Sequence, residues 1–98
     1  MTLEDILEDI HALEEDLRKY ERKYGVLSET FYETYTKGEE PDDEAWVKDW
    51  ADWAGAYQIW LRRKEEYRKA IDGLRATSNS LIDVIAKTAR HVPLPISA

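Results

Sequence analysis

Large side chains recur at alternating steps of four and three from Trp46 to Leu74, and few folds can accommodate that spacing. The series is Trp46, Trp50, Trp53, Tyr57, Trp60, Lys64, Tyr67, Ile71 and Leu74, with Lys64 its one polar member. Such steps place every member on one face of an α-helix and none on one face of a strand. Ala51, Ala54 and Ala56 keep the flanking surface small, and Gly55 offers close backbone approach at a cost of about 1 kcal/mol relative to alanine. A helix over 43–74 would span about 45 Å at 1.5 Å per residue. The stripe reads first as a packing seam. Four tryptophans also suit a subunit or partner interface, because each indole N–H needs a partner when buried and tryptophan is enriched at interface hot spots. An aromatic ligand box is the third reading of the same residues.

A second long helix is written over 3–24, where Leu3, Ile6, Ile10, Leu13, Leu17, Tyr20 and Tyr24 keep the same rhythm and Leu7 widens the stripe. Thr2 with Asp5 predicts its start, and Gly25 its stop. The stretch "SETFYETYTK" predicts a short helix capped by Ser28 and ended by Gly38, with Phe31, Tyr32 and Tyr35 along one side. Ten residues do not hold a helix alone in water, so this segment must dock. In "GEEPDDEAW", Pro41 disfavours helical geometry at Glu40, and Asp42 or Asp43 caps the next helix. Gly73 and "RATSNS" predict the end or a bend of the long helix, with Ser78 or Ser80 capping a fourth whose apolar face is Leu81, Ile82, Ile85 and Ala89. The expectation is an all-α fold: a long antiparallel helical hairpin of 3–24 and 43–74, a short bracing helix and a C-terminal helix. Residues 1–90 form one helical domain and 91–98 an extended tail. The overhang of the longer helix predicts self-association, a dimer by default.

Composition narrows the function. The 98 residues hold no cysteine, which removes disulfides, thiolate metal sites and cysteine nucleophiles. No apolar run approaches the roughly 20 residues that cross a bilayer, and the acidic beginning lacks the basic region of a secretory signal, so the reading is cytoplasmic. A formal charge of −7 disfavours direct nucleic-acid binding. That charge is uneven: residues 28–57 carry nine acids against two bases, and residues 58–98 carry eight bases against four acids. The basic stretch "LRRKEEYRKA" is interrupted by Glu65 and Glu66, and its spacing permits internal pairs such as Glu65 with Arg68.

Catalysis finds no foothold, and neither catalytic residue, metal ligand nor cofactor is assigned. Glu8 and His11 have the Glu-x-x-His spacing of di-metal bundles, but the stripe of the first helix turns both toward solvent. Asp49 and Asp52 share a helix face and raise metal-dependent nucleotide pyrophosphatase chemistry. Glu14, Glu15 and Asp16, or Glu65, Glu66 and Asp72, would have to complete that site, and nothing selects one set. His91 lies in a proline-containing segment without a nucleophile elbow.

The ordered pattern Lys23, Tyr24, Gly25, then Ser28, Phe31, Tyr32, then Gly38, Glu39, Asp42, Asp43, and finally Trp53, Ala54, Tyr57, Leu61, Lys64, Glu65 resembles small acidic prokaryotic antitoxins of two-gene toxin–antitoxin modules. The resemblance covers about residues 3–67; Pro41, Trp46, Trp50 and everything after residue 75 depart from it. It implies a non-enzymatic protein that binds and neutralises a small basic toxin, such as a ribonuclease. The acidic surface would be Glu39, Glu40, Asp42, Asp43, Asp49 and Asp52, with Trp46, Trp50, Phe31 or Tyr35 as apolar anchors. A structural helical homo-oligomer without an inhibitory task is the alternative.

Overall fold

The computed structural model describes residues 2–78 and 80–92, and every regular element in that range is helical. Helix α1 spans Leu3–Tyr24, α2 Ser28–Thr36, α3 Val47–Ser78 and α4 Leu81–Ala89, with a 3₁₀ turn at Glu44–Trp46 ahead of α3. The sequence pattern predicted each of these four α-helices. The expected extended tail lies outside the described residues except for His91 and Val92.

The start of α1 is a reciprocal cap: the Thr2 backbone N–H donates to Asp5 Oδ2 at 2.9 Å and the Asp5 N–H to Thr2 Oγ1 at 3.2 Å. The Asp5 carboxyl consequently sits below its ordinary pKa, chiefly through the backbone N–H of Thr2. Gly25 at φ +79° and Gly38 at φ +82° follow α1 and α2 in the left-handed conformation open to glycine.

The chain divides into two compact units, and both long helices contribute to each. One comprises His11–Leu61. Its core is Leu17, Phe31, Trp53 and Ala54, ringed by the half-buried Tyr20, Tyr24, Tyr32, Tyr35, Trp50, Tyr57 and Trp60. The aromatic stripe is therefore mainly a seam. Ring contacts and hydrogen bonds link Tyr24 with Trp46, Tyr20 with Trp53 and Glu14 with Trp60, so position falls along α1 as it rises along α3.

The other unit comprises Met1–Ile10 and Arg62–Ala98. Leu3, Ile6, Ile10, Ala70 and Val84 are buried in it. Full burial of an isoleucine such as Ile6 contributes roughly 1.5–3 kcal/mol. Arg63 pairs with Asp9 at 3.3 Å and with Glu66 at 3.0 Å. Arg68 pairs with Glu65 and Asp72, so "LRRKEEYRKA" carries the internal pairing its spacing permits. Exposed pairs of this kind contribute about 0–1 kcal/mol each.

Four sequence expectations are corrected. Ser28 is not the cap of α2; Leu27 holds that position without a side-chain bond, and Ser28 is turned into the interior. The long helix does not end near residue 74 but continues through Gly73 to Ser78, because a helical glycine costs only about 1 kcal/mol, within what flanking helix formers and packing supply. Gly55 meets no close approach: an added Cβ would find nothing within 4 Å. In α4 the buried residue is Val84, while Leu81, Ile82, Ile85 and Ala89 are exposed. Ser80 does cap α4, its Oγ accepting from the Asp83 N–H at 3.4 Å.

Candidate functional site

The residues that stand outward together are those joining α2 to α3. Lys37 and Gly38 close α2 by donating to the carbonyls of Thr34 and Tyr35. Pro41 then interrupts helical geometry, and Asp43 restarts it: its Oδ1 accepts from the Ala45 N–H at 2.9 Å. Between Gly38 and Trp46 lie Glu39, Glu40, Asp42, Asp43 and Glu44, all exposed, with no basic residue among them. None of the five enters an ion pair among the described residues. Trp46 follows, 39% exposed, its ring edge-on to Tyr24 at 5.6 Å, and Val47 is exposed beside it in sequence.

The remaining members of the expected surface are placed differently. Asp49 accepts from Lys23 Nζ at 2.5 Å and from the Tyr24 hydroxyl at 2.7 Å. Asp52 accepts from Lys48 Nζ at 2.5 Å. Both carboxylates are thus partly neutralised by their own chain. Phe31 lies in the core, 4% exposed, with its ring 3.8 Å from that of Trp53 and parallel to it. Trp50 meets Phe31 edge-on at 5.3 Å and Tyr35 meets it at 5.5 Å, and both are half-buried. The Trp50 indole N–H is buried without a hydrogen-bond partner among the described residues, and nothing in the packing explains it.

Sequence reasoning missed a buried polar relay. Trp53 Nε1 donates to Ser28 Oγ at 2.8 Å, and Ser28 Oγ donates to Glu21 Oε2 at 2.8 Å. The Ser28 backbone N–H also donates to that oxygen, at 2.9 Å, so a carboxylate from α1 serves as the cap of α2. Ser28 at the start of "SETFYETYTK" carried no signal separating this role from an ordinary N-cap. Trp60 Nε1 donates to Glu14 Oε2 at 3.4 Å.

The Lys23–Tyr24–Asp49 cluster sets a pH dependence. The ammonium of Lys23 and then the Tyr24 hydroxyl hold the Asp49 carboxyl below 3.8, its ordinary value. A lowered folded-state pKa contributes stability above the unfolded value that is lost as pH falls through the folded one. Asp49→Asn should therefore be less stable than the wild type at neutral pH, and the gap should close between about pH 5 and pH 2 in thermal melts. A gap constant with pH would remove the carboxylate charge from the account. Burial raises Tyr20, Tyr24 and Tyr57 above 10.0, so each keeps its proton to higher pH in the fold than in the unfolded chain. Their contribution is present below the unfolded value and lost as alkali ionises them.

Glu8 and His11 are exposed, and no cluster of three His, Asp or Glu side chains suited to a metal ion occurs among the described residues. Nor is any described helix long and apolar enough to cross a membrane. Comparison of the chain with protein-family models, with curated proteins and with solved structures finds no match.

Proposed function

We propose that this chain is a non-enzymatic protein-binding module whose acidic α2–α3 connection receives a basic protein partner. The observation that carries the reading is the group of five exposed carboxylates from Glu39 to Glu44, unpaired among the described residues and followed directly by the half-exposed Trp46. Negative potential of this kind accelerates encounter with a basic surface and fixes orientation, while an aromatic anchor supplies the apolar contact. The resemblance over residues 3–67 gives the specific form: neutralisation of a small basic toxin such as a ribonuclease, by occlusion and charge complementarity, in the cytoplasm. In this reading α1 and α3 form a long antiparallel hairpin braced by α2, and the chain works as an oligomer. Phe31 supports the surface from beneath, and Asp49 and Asp52 add less than the five unpaired acids. A structural homo-oligomer without an inhibitory task is the second reading, favoured by the exposed isoleucines of α4.

The test is copurification with the product of the adjacent gene, followed by the triple substitution Glu39→Lys, Glu40→Lys and Asp42→Lys. Asp43 is left alone because its side chain caps the 3₁₀ turn. The triple variant should weaken a basic partner by about tenfold or more, with the loss shrinking as salt is added, and melt like the wild type. Absence of a hetero-complex, or an unchanged dissociation constant, would move the weight to the structural oligomer.

A further inference from the structure

Helix α4 presents more apolar surface than its own unit covers. Val84 is buried, and the side of α4 next to it borders a cavity of about 370 Å³ lined chiefly by Leu3, Leu7, Tyr67, Ile71 and Ile85. Ile82 and Ile85, one turn apart, are 73% and 63% exposed. Ala89 continues their line and is exposed as well. A nine-residue helix that docks through Val84 while leaving two isoleucines in water is short of a partner.

The charges flanking this face identify the partner. Asp83, Lys87 and Arg90 stand at i, i+4 and i+7, a single row beside Ile82 and Ala89. All three are exposed, and none enters an ion pair among the described residues. The row runs from acid at the start of α4 to base at its end. A second α4 laid antiparallel against the first reverses that order, setting Asp83 of each copy against Lys87 and Arg90 of the other. A parallel arrangement would set like charge on like. The face is therefore self-complementary in the sense a two-fold interface requires, with an apolar line at its centre and paired charges at its edge.

Overall charge points the same way. The unit that contains α4 holds eight acidic and eight basic residues, so its formal charge is zero. The unit of His11–Leu61 holds thirteen acids and six bases and carries the whole −7. Two copies meet with least repulsion through the neutral unit, whereas the acidic connection of one copy repels that of another.

We infer that α4 is the surface through which two copies of this chain associate, by antiparallel α4–α4 pairing about a two-fold axis centred on Ile82 and Ile85. This assignment concerns a different surface from the acidic connection and stands or falls without it. It leaves that connection free in each copy.

The experiment is sedimentation equilibrium and native mass spectrometry of the full chain across the micromolar range. Wild type should approach twice its 11.5 kDa mass. Ile82→Glu with Ile85→Glu should weaken association by about a hundredfold or more, leaving a monomer with unchanged helical circular dichroism. A charge swap gives the sharper test. Asp83→Lys alone, and Lys87→Asp with Arg90→Asp alone, should each weaken self-association about tenfold, and mixing the two variants should restore a hetero-dimer. Wild type that stays monomeric overturns the inference, as does a dimer unmoved by the isoleucine substitutions or a mixture that fails to restore pairing. Glu39→Lys with Glu40→Lys and Asp42→Lys serves as the control: it should leave the dimer intact, and dissociation by that variant would relocate the interface to the acidic connection.

Discussion

Trp53→Ala should cost about 3–5 kcal/mol of unfolding free energy, a large share of the roughly 5–15 kcal/mol that a domain of this size commands. Trp53 is 1% exposed and stands where three helices meet. Its indole lies flat against Phe31 from α2, and Tyr20 and Tyr24 from α1 stack near it at 5.7 and 5.5 Å. Removing the ring deletes the common surface of all three helices and strands Ser28 Oγ without its donor. Neither α1 nor α3 is short enough to depend on this one contact. The nine-residue α2 is, because a helix of that length has no independent stability in water. Urea titration should show the lowered midpoint, and hydrogen exchange should show protection lost in residues 28–36 ahead of α1 and α3. Near-neutral unfolding would remove Trp53 from the centre of the core.

Ser28→Ala should cost about 1–3 kcal/mol, more than a surface serine is worth, because it orphans the buried Trp53 N–H and removes one of the two Ser28 donors to Glu21. The alternative account, a simple N-cap, predicts about 1 kcal/mol and no dependence on Trp53. A double-mutant cycle separates them. Trp53→Phe keeps most of the ring stacking and removes the N–H. In the cycle with Ser28→Ala, the relay predicts an interaction of roughly 0.5–3 kcal/mol, whereas effects that simply add would reduce Ser28 to its local role. Glu21→Gln adds a check, since the amide oxygen still accepts from the Ser28 N–H but without the carboxylate's charge.

These two residues mark how far the sequence could be read. Trp53 belongs to a stripe whose spacing announces burial, and its neighbours in that stripe are half-buried on the same face. Ser28 sits one residue after the true cap, in a segment where serine ordinarily starts a helix. Its partners, Glu21 and Trp53, are seven and twenty-five positions away, on other helices. No local pattern encodes a hydrogen bond that depends on how three helices meet. The acidic connection is the reverse case: Glu39 to Glu44 stand exposed because a Gly-Glu-Glu-Pro-Asp-Asp run leaves no apolar side chain large enough to anchor it in a core. Asp49 and Asp52 look equivalent to them in composition, yet Lys23 and Lys48 claim both.

The sequence by itself determined the all-helical class, the reciprocal cap at Thr2 and Asp5, the glycine stops at Gly25 and Gly38, and the face of α3 that packs. Each follows from local backbone preference or from a period repeated often enough to average out exceptions. Tertiary structure decided the rest. Leu81, Ile82, Val84 and Ile85 occur on almost every side of α4, so the pattern of a nine-residue helix cannot name the buried face. Docking selects Val84 and leaves the isoleucines outside. Likewise, Gly73 marks a stop by local preference alone, and the helix runs through it because a cost of about 1 kcal/mol is small beside that of breaking a continuous packed helix.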